Sequence, residues 1–397
     1  MRVVQINSYS NGSTGQIAQS IHRALLSMGH ESLLAYGFGP EINEGGYRIS
    51  NKVDFKLHTA VTLLTGLHGY SSIITTRRLI RRIKKFKPDI VHLHNLHGGY
   101  VNINMLMRYL TKCNVKMVVT IHDCWLYTGK CYHYYEAACN RFLSNCGHCP
   151  QLSMYPKSYC FDFTSKMLKD KRRIFQKIKN LNVVTVSDWL NDEVSATFLG
   201  RFPIRTIKNG INAIFGHNGR ENRKEVYKNL KGSFIILGVA SSWNPHKGID
   251  DFIALAQKLD SDEQIVLVGD VKNPDVLPAN ITTINRTESL GELADMYDGA
   301  SVYVSMSTEE TFGMTIAEAL SCGVPAIVYD ATACSEMIIA GENGYIAEPH
   351  NISQVYEYIQ LIKQGRIGAK LRISEKARTM YSTERMVRDY LAMYEEI

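Results

Sequence analysis

The stretch from Ser301 to Val328, SVYVSMSTEETFGMTIAEALSCGVPAIV, constrains this chain more than any other. It opens on Val302-Tyr303-Val304, a short β-branched run of the kind that forms a buried strand. Ser307 to Gly313 then make a polar loop, and from Met314 the residues Met314, Ile316, Ala317 and Leu320 take up helical spacing. Gly323 and Pro325 stop that helix, and Ala326-Ile327-Val328 starts the next strand. The stretch predicts a β-α-β unit.

Two carboxylates sit in this unit: Glu310 in the loop and Glu318 in the second turn of the helix. At ~1.5 Å of rise per residue, Glu318 lies roughly 6 Å along the axis from the Phe312-Gly313-Met314 amides that open the helix. That is about the reach from a pyrophosphate to its ribose. A nucleotide-sugar would rest its phosphates on the free N–H groups, with Gly313 permitting close approach because it lacks a side chain. Glu318 would take the ribose hydroxyls and Glu310 the sugar. The same residues admit a plainer reading, because Ser307-x-x-Glu310 fits a capping box and Glu318 fits an exposed helix position.

The carboxylates flank Thr311-Phe312-Gly313, and the helix closes with Cys322-Gly323-Val324-Pro325. From Ser307 to Ala319 the chain matches, nearly throughout, the pattern Ser-x-x-Glu-(Gly/Thr)-Phe-Gly-x-x-x-x-Glu-Ala. Here it resembles the retaining nucleotide-sugar glycosyltransferases of the GT4 family, whose GT-B fold is α/β, with two Rossmann-like domains facing an interdomain cleft. The resemblance extends over nearly the whole chain. It implies that Glu310, Thr311, Phe312, Gly313, Met314 and Glu318 bind the donor.

At 397 residues the chain fits two domains of ordinary size. Val3-Val4-Gln5-Ile6 is a first strand, followed by a loop from Asn7 to Gly15 and a helix to about Met28. Strand, glycine loop and helix in that order mark phosphate sites, but the full dinucleotide fingerprint is missing. By the resemblance, Gly12 and Gly15 face donor phosphate or acceptor. Leu33 to Tyr36, Ile90 to Leu93, Met117 to Ile121 and Val183 to Val186 read as further strands of a parallel sheet, with helices between them.

His92, His94, His97 and His122 fall at or just beyond strand ends. His92 and His94 point the same way, and the His94-to-His97 turn is expected to have no carboxylate partner, which argues against a metal there. His122-Asp123 leaves its strand into the expected cleft and resembles the His-Asp of the family. That likeness makes His122 a catalytic residue that hydrogen-bonds the transferred sugar.

A cysteine-rich loop, 124–160, follows. It contains Cys131, Cys139, Cys146 and Cys149, and the Cys-x2-Cys at its end suits tetrahedral zinc, with His133 and His148 as substitutes. The irregular first spacing leaves three states open: structural zinc, free thiols and disulfides. Four sulfurs exclude an open, catalytic metal position.

Ile207-Lys208-Asn209-Gly210-Ile211-Asn212 resembles the family's Pro-Asn-Gly-Ile-Asp crossing between domains, with Lys and Asn replacing Pro and Asp. It places the boundaries at 1–207, 208–381 and a terminal helix, 382–397, that crosses back onto the first domain. The polar stretch Asn222 to Gly232 leads into the second domain, whose strands begin with Ser233 to Ala240, Ile265 to Asp270 and Ile281 to Asn285. Ser241 to Gly248 resembles the family's Gly-Arg-x-x-x-x-Lys-Gly loop. By that likeness Lys247 holds the leaving diphosphate and is catalytic with Glu310 and His122. The companion arginine is absent, so Arg286 or His246 would supply the second cation. The backbone at Asn285, Arg286 and Thr287 would read the base.

The net charge of +7 is partly clustered, in an amphipathic helix at 76–87 and a second basic stretch at 166–179. Such faces suit an anionic membrane surface. No aromatic stacking platform accompanies them, which argues against nucleic acid. With no apolar span and no signal-peptide layout, the expected location is cytoplasmic, or peripheral on the inner face of the plasma membrane. The resemblance predicts hexosyl transfer to a saccharide or lipid-linked saccharide acceptor in surface polysaccharide synthesis, with no catalytic cofactor. A nucleotide-sugar 2-epimerase of the same shape and a non-catalytic nucleotide-sugar-binding subunit are the alternatives.

Overall fold

The structure is a computed structural model that describes residues 1–217, 226–228, 230 and 232–397. Most of the polar stretch Asn222 to Gly232 therefore lies outside the described residues. The chain divides into two compact units, Met1–Lys208 with Val387–Ile397, and Asn209–Met386.

Unit 1 is built on seven strands, β1 (Arg2–Tyr9), β2 (Glu31–Phe38), β3 (Gly46–Arg48), β4 (Ile90–Leu93), β5 (Lys116–Ile121), β6 (Leu181–Thr185) and β7 (Ile204–Thr206). All pairs are parallel, in the order β3-β2-β1-β4-β5-β6-β7. β1, β2, β4 and β5 are buried along almost their whole length, as a sheet covered on both faces requires. The edge strands β3 and β7 are three residues long and carry no apolar run, so nothing local announces them. The first loop is shorter than its sequence indicates. β1 continues to Tyr9, and the helix Gly12–Ser27 starts three residues later, burying Ile17, Ala18, Ile21 and Leu25.

The helix Ile73–Phe86 buries Thr75, Thr76, Leu79 and Ile83 and turns Arg77, Arg78, Arg81, Arg82, Lys84 and Lys85 to solvent. The second basic stretch behaves differently. Its helix runs from Thr164 to Phe175, Lys171 is buried, and Arg172 donates to the carbonyls of Phe142, Leu143 and Ser144. Lys166 pairs with Asp170 four residues on. Lys171 and Arg172 are thus spent on internal bonds, while Lys166, Lys169, Arg173, Lys177 and Lys179 stay exposed.

Unit 2 has six parallel strands, β8 (Phe234–Ser242), β9 (Glu263–Asp270), β10 (Ile281–Ile284), β11 (Val302–Ser305), β12 (Ala326–Tyr329) and β13 (Gly344–Ala347), in the order β10-β9-β8-β11-β12-β13. In both units the chain builds outward from its first strand, then returns to that strand's other side. The reversal falls between β1 and β4 in unit 1 and between β8 and β11 in unit 2. In open α/β sheets, crevices form at such reversals, beyond the carboxyl ends of the strands.

The last helix is Thr383–Glu396, and its end belongs to unit 1. There Tyr394 Oη shares a 2.6 Å hydrogen bond with His92 Nδ1, Tyr390 Oη lies 3.0 Å from Thr120 Oγ1, and Arg205 donates to Glu396 at 2.5 Å. Tyr394→Phe leaves the buried His92 Nδ1 without its partner. We expect a loss of about 1–3 kcal/mol, read from the denaturant midpoint, and an unchanged midpoint would show that this bond does not anchor the helix.

Candidate active site

β8 and β11 pair directly, Val302 against Ile236 and Tyr303 against Leu237, so the loops leaving their carboxyl ends are neighbours. Gly248 closes the first of these loops at φ 76°, and a Cβ there would stand 2.4 Å from Met306 Cβ and 2.6 Å from its carbonyl oxygen. Only glycine lets the two loops meet so closely. Behind it, Trp243 is buried, with Nε1 donating to the Val268 carbonyl at 3.1 Å.

Lys247 is thereby delivered to the loop after β11. Its Nζ donates to Glu310 Oε1 at 2.5 Å, and the Glu310 N–H donates to Thr332 Oγ1 at 2.9 Å. Burial favours the neutral amine of Lys247, but the charge and hydrogen bond of Glu310 outweigh it and hold the lysine above its ordinary range. Ser307 Oγ donates to the His246 carbonyl at 3.3 Å, so it does not act as the capping-box residue. His246 Nδ1 stands 3.9 Å from Glu309.

The helix Met314–Ser321 begins after Gly313, whose φ is 90°, and among the described residues no side chain caps it. Its opening amides are therefore free of the usual competitor for an anion. Phe312 is buried against Tyr381. Glu318 is not the exposed helix residue of the plainer reading. Burial pushes its carboxyl up to about 7, and a 3.1 Å bond donated by Tyr297 Oη restrains that rise. Asn285, Arg286 and Thr287 follow β10 on the same carboxyl edge, two strands from β8, with Asn285 and Arg286 exposed.

In unit 1 the histidines form a buried rail across the ends of β4 and β5. His92 Nε2 meets Thr120 Oγ1 at 2.7 Å, His94 Nδ1 meets His122 Nε2 at 3.1 Å, and His94 Nε2 meets Gln5 Oε1 at 3.1 Å. The rings of His94 and His122 stack at 5.4 Å. One expectation from sequence is overturned. His97 does have a carboxylate partner, because Asp123 Oδ2 lies 2.6 Å from its Nε2, and Tyr132 Oη meets its Nδ1 at 3.0 Å. That carboxylate comes from the neighbouring strand's exit, out of sight of the turn itself. Burial lowers His122 to about 4, with Asp123 opposing and His97 reinforcing the shift. It is a neutral ring at ordinary pH.

Gly15 is buried, and a Cβ there would fall 2.6 Å from the Ser10 carbonyl carbon. Its bareness serves helix-on-strand packing, and a donor contact at Gly15 rests on the resemblance alone. Cys131, Cys139, Cys146 and Cys149 form no disulfide and line one small cavity, which neither His133 nor His148 lines. Sequence reasoning missed Tyr132, Tyr297 and Thr332, each of which orients a site residue from a remote segment.

Two parallel-sheet Rossmann-like units, with a cation and a carboxylate paired at the strand reversal of the second, define the GT-B class of glycosyltransferases. The chain belongs to Glycosyltransferase Family 4, whose family pattern matches residues 14–214, and residues 220–380 match Glycosyl transferases group 1. It is 21% identical over 430 residues to the putative colanic acid biosynthesis glycosyl transferase WcaC of Escherichia coli K12, covering 100% of both chains. In structure it is similar to sucrose-phosphate synthase from Thermosynechococcus elongatus, with a TM-score of 0.71 at 15% identity, covering 100% of this chain and 99% of that one. Anabaena Alr3699/HepE in complex with UDP-glucose gives 0.68 at 12% identity, with 100% of both chains covered.

The histidine rail predicts acid sensitivity. Burial sets His58 and His122 at about 4, and His68, His92 and His94 well below their ordinary 6.5. Unfolded, each takes a proton near 6.5. The stability from burying them neutral is therefore complete above about pH 6.5 and is lost as pH falls toward 4, at up to ~1.4 kcal/mol per pH unit for each ring. Thermal midpoints should fall steeply from pH 7 to pH 5, and a flat profile would contradict the neutral rail.

Proposed function

We propose that this glycosyltransferase moves a hexose-type sugar from a nucleoside-diphosphate donor to a saccharide or lipid-linked saccharide acceptor during surface polysaccharide synthesis, with retention at the anomeric carbon. The observation that carries the reading is the Lys247–Glu310 pair beside an uncapped helix start at the strand reversal. The name of the WcaC relative supports the polysaccharide, and the UDP-glucose complex of the HepE neighbour supports the donor class.

In this reading the donor's diphosphate takes the place of Glu310 as the partner of Lys247. The freed carboxylate then turns to the sugar hydroxyls and to positive charge growing at the anomeric carbon. The acceptor hydroxyl enters on the leaving group's face, forming its bond to the anomeric carbon as the bond to the phosphate oxygen breaks. A phosphate oxygen takes the hydroxyl proton. Lys247 and the amides from Phe312 to Met314 stabilise the departing diphosphate by charges already in place, so the step calls on no metal ion. Glu318 accepts from the ribose hydroxyls. In unit 1, the neutral ring of His122 is suited to hydrogen-bond a sugar hydroxyl.

The membrane part of the reading rests on the helix Ile73–Phe86. Its six exposed basic residues are joined by exposed Ile73 and Ile74, and by Val53, Leu57 and Leu64 on the helix Lys52–Thr65. His58 Nδ1 to Ser72 Oγ, at 2.8 Å, ties the two helices together. Charge with apolar anchors beside it suits an anionic bilayer surface. Among the described residues, no helix is long and apolar enough to cross a membrane.

Lys247→Ala and Glu310→Ala should each lower transfer by ~10²-fold or more, followed as nucleoside diphosphate released from UDP-, GDP- and ADP-sugars with acceptor present. Near-normal turnover in either purified variant overturns its role, and interconversion of a sugar nucleotide without acceptor favours the epimerase alternative. Replacing Arg81, Arg82 and Lys85 with Ala should weaken co-sedimentation with anionic vesicles by ~10²-fold, at about 1 kcal/mol for each charge. Equal binding of variant and parent, or of anionic and neutral vesicles, contradicts the membrane role.

A further inference from the structure

The cysteine loop, 124–160, lies outside the Lys247–Glu310 site and is made mostly of turns. Cys131, Cys139, Cys146 and Cys149 come from turns separated by a single short helix, Arg141–Ser144, and converge on a cavity of about 20 Å³. A space of that size holds one water or one ion.

Three observations point to what fills it. The thiols of Cys131 and Cys149 are hydrogen-bonded to each other. Cys146 Sγ accepts from the Gly129 N–H, and Cys149 Sγ from the Gln151 N–H, two residues on. Backbone donors of this kind orient metal-binding thiolates and spread their charge. Finally, two lysines are buried beside the thiols. Lys171 Nζ donates to the carbonyls of Trp125 at 2.5 Å and Thr128 at 2.9 Å, and Lys130 Nζ to those of Gln151, Leu152 and Met154 at 2.8, 3.0 and 2.9 Å. Among the described residues, neither makes an ion pair with a carboxylate. Each lies within electrostatic range of a sulfur of the cluster, Cys146 for Lys171 and Cys149 for Lys130.

Buried ammonium groups need a counter-charge. A divalent ion held by four thiolates has a net charge of −2, which two lysines balance. Neutral thiols or disulfides leave the two ammonium groups only the more weakly coupled carboxylates of Asp123 and Asp162. We propose that Cys131, Cys139, Cys146 and Cys149 bind one structural zinc ion that staples loop 124–160. Tyr132, beside the first ligand, bonds to His97, and His97 bonds to Asp123 next to His122. The staple therefore also fixes the chain of hydrogen bonds behind the histidine rail. Among the described residues, no three of the sulfurs lie within 4.8 Å of one another, so ligation draws them inward. A loop made mostly of turns can follow.

The test is elemental analysis of the untagged, full-length protein purified without chelator. About one zinc per chain is expected, released as the thiols are titrated with an organomercurial. Cobalt substitution should give the ligand-field and charge-transfer bands of a tetrahedral thiolate site. Cys139→Ser should lower zinc content several-fold, whereas Cys139→His, which keeps a zinc ligand, should retain it. Well under 0.1 zinc per chain in the parent protein overturns the proposal, whether the native thiols all react with Ellman's reagent or the mass shows disulfides. Metal content is read without an activity assay, so this result stands apart from the fate of the donor assignment.

Discussion

The reversal of strand order between β8 and β11 is the constraint on which the rest of the donor site depends. Two segments whose paired side chains are 63 residues apart leave neighbouring strand ends at this point, and a lysine from one meets a carboxylate from the other. A half-buried ammonium and a half-buried carboxylate each lose part of their hydration, and pairing offsets that loss. Under the proposed function the same pairing is exchangeable, because a diphosphate would offer the lysine a stronger anion and release the glutamate for another partner. Gly248 is the steric condition for this arrangement, since any side chain there would strike Met306.

Unit 1 has its own reversal, between β1 and β4, and places a different chemistry beside it. At the ends of β4 and β5 it places neutral rings in place of opposed charges: His122 bonds to His94 and His94 to Gln5, while His92, its ring 4.0 Å from that of His94, bonds separately to Tyr394 and Thr120. Each ring nitrogen that is satisfied while buried removes a reason for the ring to take up a proton. Asp123 holds the one acidic position beside this row, kept ionised by His97 and the Trp125 N–H against the effect of burial. The result is a buried polar network whose rings stay neutral near neutral pH. The terminal helix closes part of this network, so the chain's last residues contribute to a site formed by its first sheet.

Much of this was legible before any coordinates. The β-branched runs at β1, β4, β5, β9, β11 and β12 and the helical spacing after Gly313 follow from local sequence, because burial on both faces demands apolar residues in unbroken runs. Glu310, Glu318 and Lys247 were singled out by motif and resemblance. Their partners were not, since Tyr297, Thr332 and Tyr132 carry no pattern that marks them and reach the site only through the fold. The basic stretch at 166–179 shows the converse failure. Composition alone treats every lysine as solvated, and there Lys171 is buried under carbonyl oxygens.

What the sequence by itself determined is the alternation of strand and helix, the loop that opens on a helix start, and the presence of four closely spaced cysteines, because each is encoded within some 30 residues of chain. Tertiary structure decided which charges meet, which histidines stay neutral and which lysines lose their water. The physical reason is that pairing and desolvation depend on distance through space and on the dielectric around a group. Neither quantity exists until the sheets have ordered their strands.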